Sequence, residues 1–239
     1  MEQCSEATVA QLMDEIIPQR REEVSHVKPL GRRFGMLKSF QLLQQLLPEL
    51  DWSQVTFRRG EHGKPFLCDA HGVRLEGVHF NLSHSAGGIL VAVADRPIGV
   101  DIETFRSPSS GLLRRCMNSD EIRRIEQSAV PLQTFAELWT SKEAVGKCRG
   151  TGLTDDMPQF LNGPEQVETH LAAAKGYAYS FAYSDKRIIG QADIRTSGQA
   201  DNRIFGQADI RIFGQADIRI KGRSENPRIR KSVPSENPT

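Results

Sequence analysis

Residues 89–103 read Ile89-Leu90-Val91-Ala92-Val93-Ala94-Asp95-Arg96-Pro97-Ile98-Gly99-Val100-Asp101-Ile102-Glu103, and their pattern sets the frame for the rest of the chain. Two apolar runs flank a polar Asp-Arg-Pro turn, which predicts two strands joined as a hairpin. Residues two apart in a strand share a face. Asp101 and Glu103 therefore point one way, while Val100 and Ile102 point into a core. Two carboxylates at that range repel, and each raises the other's pKa unless positive charge lies between them. A divalent cation would supply that charge.

A third acid joins them from further along. The segment from Pro131 to about Cys148 carries a helical pattern, with proline suited to the first turn and Gly150 as a stop signal. Leu132, Phe135 and Trp139 recur at spacings of three and four as an apolar stripe. Glu143 and then Lys147 continue it, within Trp139-Thr-Ser-Lys-Glu-Ala-Val-Gly-Lys147. A carboxylate on the core side of a helix is seldom buried without a partner. A Glu143–Lys147 surface ion pair accounts for the spacing equally well. Taken with the strand pair, the three acids Asp101, Glu103 and Glu143 favour a shared cation.

At 239 residues the chain can hold one large domain or two small ones. A formal charge of +1 gives no case for nucleic acid or an anionic membrane as partner. No apolar run approaches the ~20 residues of a membrane-spanning helix. The N-terminal residues lack the basic-then-apolar order of a secretory signal. Cys4, Cys68, Cys116 and Cys148 are scattered without a Cys-x-x-Cys pair, so free thiols in a reducing, cytoplasmic setting are expected.

Three regions follow. Residues 1–96 and 97–189 each carry a strand-helix-strand set, which suggests two similar α/β lobes with a ligand cleft between them. The first holds a helix near Phe34–Leu47, with Arg32, Arg33 and Lys38 at its start and side. Short strands follow near Val55–Phe57, Val78–Leu82 and Ile89–Ala94. The second holds the Ile98–Glu103 strand, a helix near Ser119–Gln127, the Trp139 helix and the strand-like run of residues 176–184. From Gly190 a tandem octapeptide recurs as GQADIRTS, GQADNRIF, GQADIRIF and GQADIRIK. Its units hold too few apolar residues for a solenoid core, so residues 190–239 are expected to be disordered.

Two further segments suit anions. Gly63-Lys64-Pro65 fixes a lysine at a turn tip, although an ordinary solvated lysine reads the same way. Asn81-Leu-Ser83-His84-Ser85-Ala-Gly-Gly88 follows a strand and could present N–H groups and Ser83 to phosphate oxygens. A serine-hydrolase assignment fails here, because neighbours in sequence are not a triad and Gly-x-Ser-x-Gly is absent.

In order and spacing, GKP, FNLSHS, GVDIE, WTSKEAVGK and the following GTGL resemble the 4′-phosphopantetheinyl transferases, closest to the two-lobed type acting on peptide, polyketide and acyl carrier proteins. The resemblance runs from about Leu30 to Tyr183. It implies a monomeric pseudo-dimer binding coenzyme A and magnesium between its lobes. It also implies transfer of the phosphopantetheine arm to a serine of an apo carrier protein, with release of 3′,5′-ADP. Asp101, Glu103 and Glu143 would hold the Mg2+, an ion that takes oxygen ligands and keeps several waters. Lys147 would stabilise charge on the leaving phosphate. Lys64, Ser83 and His84 would bind coenzyme A phosphates, with help from Arg32, Arg33 or Lys38. Glu121 would help to deprotonate the incoming serine, or else simply cap the next helix.

The chain departs from the family pattern at two places. Gln44 follows Leu42-Leu43 where relatives carry an arginine. The octapeptides begin where an apolar closing strand belongs, leaving Ile188 and Ile189 as a short edge. A non-catalytic binder of coenzyme A or carrier protein, its closing strand disrupted, is the alternative.

Overall fold

The computed structural model describes residues 4–86 and 88–184, and the backbone of 210–214. Three helices open the chain: α1 (Glu6–Glu15), α2 (Pro18–Ser25) and α3 (Leu30–Leu46). A ribbon of β1 (Thr56–Arg59) and β2 (Pro65–Cys68) leads to the hairpin of β3 (His79–Ser85) and β4 (Gly88–Ala94). Then come β5 (Ile98–Thr104), α4 (Ser110–Cys116), α5 (Ser119–Glu126) and the long α6 (Pro131–Arg149). After a 3-10 turn at Met157–Asn162, β6 (Gln166–Ala172) and β7 (Tyr177–Tyr183) complete the main body. The outcome is mixed α/β, with small antiparallel sheets and helices laid on them.

Period-two patterning explains the layers. Val91 and Val93 of β4 face a core with Leu37, Phe40 and Leu43 of α3. Their neighbours Leu90, Ala92 and Ala94 face the other way, against Ile98, Val100 and Ile102 of β5 and the aromatic residues Tyr177, Tyr179 and Phe181 of β7. On the far side of β5 and β7, Phe135, Trp139 and Val145 of α6 build a third cluster with Met157 and Phe160. The stack is thus α3, the β3–β4 sheet, the β5–β7–β6 sheet, then α6. Strand β4 reads as apolar throughout because both its faces are covered.

Two expectations need correction. Residues 89–103 do not form a hairpin: Asp95-Arg96-Pro97 carries the chain from one sheet to the other, β4 pairing with β3 and β5 with β7. An isolated apolar-turn-apolar pattern cannot tell a hairpin from a sheet change, because both bury the same side chains. Asn81–Ser85 is likewise not a loop. It is strand, with Ser83 opposite Leu90 and His84 opposite Ile89. Leu132 also leaves the stripe, being 41 % exposed, while Phe135 and Trp139 are buried.

Most of the octapeptide region, and Ile188 and Ile189, lie outside the described residues. Within it, Ile210–Gly214 forms a strand, β8, antiparallel to β4. All four cysteines are free thiols. Among the described residues no helix is long and apolar enough to cross a membrane.

One stability prediction arises at the start of β3. Burial holds His79 neutral and pushes its pKa down to about 4, helped by the charges of Arg74 and Lys64. The unfolded chain takes up that proton near pH 6.5, so stability falls as the pH drops from about 6.5 towards 4. We expect wild type to lose ~1–2 kcal/mol more than His79→Gln across that window, after discounting for partial exposure. Urea melts at pH 7 and pH 4.5 check this; equal losses in the two proteins would refute it.

Candidate active site

Asp101 sits at the seam where β3, β5 and α6 meet. Its strand alternates as expected: Val100 and Ile102 face the inter-sheet core, while Gly99 and Asp101 face α6. Gly99 is what brings helix and strand together. A Cβ there would lie 2.0 Å from the Ala144 carbonyl oxygen and 2.2 Å from the Cys148 nitrogen. With no side chain at this point, α6 lies flush on β5 and delivers Glu143 and Lys147 beside Asp101. Gly150, in the left-handed conformation at φ 75°, then ends the helix.

The Asp101 carboxylate is buried and half satisfied. Its Oδ1 accepts from Lys147 Nζ at 2.5 Å and from Ser83 Oγ at 2.8 Å. Lys147 Nζ also reaches Ser83 Oγ, at 3.2 Å. Oδ2 is buried and has no protein partner. Glu143 stands close enough that burial and the charges of Asp101 and Glu103 push its carboxyl up to about 7, against the opposing pull of Lys147. Glu103 is raised too, by burial and by Asp101, with Arg106 and Lys147 pulling the other way. The i,i+4 alternative gains little here, since Lys147 spends its charge on Asp101 rather than turning along the helix.

Among the described residues, no three carboxylate, imidazole or thiol groups stand as a ready-made cation cage. Even so, a divalent cation would relieve both the bare buried oxygen on Asp101 and the raised Glu103 and Glu143. Magnesium needs only one or two protein carboxylates when phosphate and water complete its shell. The donor set fits that ion.

The anion-binding candidates separate. Ser83 and His84 lie on opposite faces of β3, as strand periodicity demands. Ser83 and Asn81 turn to β5, where Asn81 Oδ1 accepts from the Val100 N–H at 2.9 Å. His84 turns to α3 and lies over Gly35, whose missing Cβ would come within 2.8 Å of the ring. Burial, Lys147 and Arg32 all lower the His84 pKa. Arg32 is thus the helix cation whose charge reaches His84. Arg33 instead pairs with Glu6 at 2.7 Å and pins α1 to α3. Lys38 is buried and donates to Gln41 Oε1 at 2.6 Å. For Arg33 and Lys38 the geometry shows roles in the fold.

Lys64 is no solvated turn lysine. Its Nζ donates to the carbonyls of Cys148, at 2.8 Å, and Ile98, at 3.1 Å, fastening the turn to the end of α6 and the start of β5. Burial pushes its pKa down to about 8. A cavity of about 150 Å³ opens beside it, lined also by His62, Asn81, Gly146 and Lys147. A second, of about 530 Å³, lies on its other side among Phe66, Arg74, His79 and Cys148.

Glu121 caps helix α5. Its Oε2 accepts from the Asn118 N–H at 2.8 Å and the Asn118 side chain answers, a reciprocal box at the start of α5. Its Oε1 meets Lys142 Nζ at 2.9 Å. Lys142 is fully buried and also donates to the carbonyls of Met157 and Pro158. Sequence reading passed over this lysine. The available signal was its place beside Glu143, one step off the polar face of a helix otherwise buried all round. A hydroxyl network is also new: Thr140 and Ser141 of α6 meet Ser180 and Thr169 at 2.7 Å each, locking the helix to β7 and β6.

The seam thus holds a buried carboxylate bridged by a lysine, two further acids of raised pKa, and a cavity beside them. Comparison with known proteins narrows this. Residues 97–196, a range that contains Asp101, Glu143 and Lys147, match the profile of the 4′-phosphopantetheinyl transferase superfamily. The 4′-phosphopantetheinyl transferase Sfp of Bacillus subtilis (strain 168) is 31 % identical over 140 residues, covering 56 % of this chain and 60 % of that protein. The gsp transferase of Aneurinibacillus migulanus is 30 % identical over 117 residues, 48 % and 46 % of the two chains. A putative transferase of Haemophilus influenzae is 28 % identical over 167 residues, 65 % and 68 % of the two chains. The chain spans about half the length of most of the curated relatives it matches. Its similarity is thus to the 4′-phosphopantetheinyl transferase superfamily, through residues 97–196 and through relatives about 30 % identical.

Proposed function

We propose that this chain transfers the 4′-phosphopantetheine arm of coenzyme A to a serine of an apo acyl or peptidyl carrier protein in a Mg2+-dependent reaction, releasing 3′,5′-ADP. The half-satisfied Asp101 carboxylate, bridged by Lys147 and flanked by two acids of raised pKa, is the observation that carries it. On this reading residues 1–96 and 97–189 are the two lobes, and the protein works as a cytoplasmic monomer. Asp101, Glu103 and Glu143 would hold the ion, which when bound would neutralise the acids and the coenzyme A pyrophosphate together.

The remaining work falls to the chain's own groups. Lys147 already bridges Asp101 and Ser83 across the seam, a position from which its ammonium can also meet a phosphate oxygen and stabilise charge as the pyrophosphate bond breaks. His84, with Arg32 close by, would face a second phosphate from the α3 side. Glu143 would serve the ion as a ligand, which leaves Glu121 as the acid proposed to take the serine proton. The nucleophile belongs to the carrier.

Incubation with Mg2+, coenzyme A and an apo carrier protein tests this by intact mass of the carrier. We expect the gain of one phosphopantetheine arm, lost with EDTA. No gain across several carriers, from folded protein, would sink the transferase assignment and leave the non-catalytic binder.

A further inference from the structure

Strand β5 carries Asp101 along the edge of its sheet, since β7 alone pairs with it among the described residues. In an antiparallel strand alternate N–H groups point to opposite edges. Just past the end of β5, Phe105 donates to the Gly176 carbonyl at 2.8 Å, so the N–H groups of Glu103, Asp101 and Gly99 also turn towards β7. Those of Val100 and Ile102 turn to the other edge, where both residues are buried and need partners. Side chains of β3 supply them. Asn81 Oδ1 accepts from the Val100 N–H at 2.9 Å, and Ser83 Oγ accepts from the Ile102 N–H at 3.4 Å. Two residues on one face of β3 thus meet two N–H groups spaced alike on β5. They join strands of different sheets, between which no ladder runs.

The Ser83 hydroxyl is fully committed. A serine hydroxyl has one proton and two acceptor sites. Here the proton goes to Asp101 Oδ1 at 2.8 Å, and the acceptor sites take Lys147 Nζ, at 3.2 Å, and the Ile102 N–H. An ionised phosphate oxygen only accepts, and Ser83 has no proton left to offer it. The hydroxyl fixes Asp101 instead. With Lys147 Nζ and Ser83 Oγ both on Oδ1, the carboxylate has one attitude, and the buried Oδ2 is left without a protein partner. Held by Lys147 alone, it could pivot and offer either oxygen to the ammonium.

We propose that Asn81 and Ser83 form a side-chain splice between β3 and β5, and that Ser83 is a positioning residue for Asp101 rather than a ligand of the coenzyme A phosphates. Asn81 sets the register of the two strands at Val100. Ser83 sets it at Ile102 and, with the same oxygen, aims the neighbouring carboxylate. The bearing of Ser83 on metal binding rests on the transferase reading; the splice itself does not.

Ser83→Ala and Asn81→Ala in the full-length chain test both parts. Residue-resolved hydrogen exchange reads the splice. Asn81→Ala should speed the Val100 amide at least ~10-fold, and Ser83→Ala should speed the Ile102 amide, whose bond is longer, at least ~3-fold, while the β4 amides hold. Binding of Mn2+, followed by electron paramagnetic resonance, reads the positioning. Losing a group that orients a metal ligand costs about 10- to 100-fold in affinity, so the Kd for Mn2+ should rise at least ~10-fold in Ser83→Ala. Binding of 3′,5′-ADP in EDTA should be unchanged in that variant, whereas a lost bond to phosphate would weaken it by about 10-fold or more. Weakening of that size would make Ser83 a phosphate ligand and overturn the proposal. An unchanged Kd for Mn2+ would deny Ser83 its hold on Asp101 and overturn it as well. Val100 and Ile102 amides that exchange at wild-type rates would refute the splice. Faster exchange spread over β4 and β7 would show a packing role without positioning, again against it. If the wild-type chain takes up no Mn2+, the transferase reading fails, and the two amides alone decide for or against the splice.

Discussion

Gly99→Ala is expected to lose roughly 3 kcal/mol or more of stability and most of the activity, although it adds one methyl group. The reason is what that methyl meets. Core overpacking is usually absorbed by side chains changing rotamer. At Gly99 the obstacles are the Ala144 carbonyl oxygen and the Cys148 nitrogen, both main-chain atoms of α6, at 2.0 and 2.2 Å. Neither can move unless the helix moves. Helix α6 is tied to the sheet elsewhere through the Thr140–Ser180 and Ser141–Thr169 hydroxyl contacts, so it would tilt rather than translate. Its C-terminal half, carrying Glu143 and Lys147, would swing from Asp101. A misplacement of about 1 Å at a catalytic group can cost on the order of 100-fold in rate. At ~2–4 °C per kcal/mol for a chain of this size, the melting temperature should fall by roughly 6–12 °C. Gly111→Ala is the control: a Cβ there meets nothing within 4 Å, and α4 should be unchanged or slightly firmer. If Gly99→Ala melts and turns over like wild type, β5 and α6 are not in main-chain contact and the site geometry is wrong.

That contact also marks how far sequence alone could reach. The facing of Asp101 and Glu103 followed from strand alternation, and the placing of Phe135 and Trp139 from helical spacing. Both are local rules, and both hold in the fold. Helix α3 and strands β4 and β5 are legible for the same reason, β3 only in its first half. The ordinary hydrophobic signal is weak in α2, with its run of charged residues, and in β6, whose exposed positions alternate with half-buried ones. Neither was found. The sheet change at Asp95–Pro97 was missed because pairing depends on partners distant in sequence. Ser83 and His84 were joined into one loop because their hydroxyl and imidazole suit phosphate; their strand register separates them. In sequence Lys64 reads as a turn-tip lysine, phosphate ligand or solvated, and Lys142 is passed over. Only the fold shows that each is drawn inside by main-chain carbonyls, from α6 and β5 for one and from the 157–158 turn for the other.

Glu143→Gln separates the cost of the site from its use. The carboxyl is half-buried beside two other acids, and its pKa stands at about 7 against an ordinary 4.5. A raised carboxylate pKa means that the folded state binds the proton more readily than the unfolded one. The group therefore weakens the fold fully above pH 7, and that penalty disappears as the pH falls through 7 to 4.5. Replacing it with the neutral amide should remove the penalty at pH 7.5, so the variant should match or exceed wild type in stability, by ~1–2 kcal/mol after discounting for partial exposure. The gain should shrink towards pH 4.5, measured as a difference from wild type so that His79 cancels. Transfer to the carrier should meanwhile fall at least ~100-fold, because the variant loses a metal ligand. Any rise in melting temperature caused by Mg2+ with coenzyme A in wild type should be absent from the variant. Stability gained where activity is lost is the mark of like charges held together for function rather than for folding. A variant that is both less stable at pH 7.5 and inactive would instead mean that Glu143 supports the fold. One that stays active would remove it from the chemistry, leaving Asp101 and Lys147 as the centre of the site.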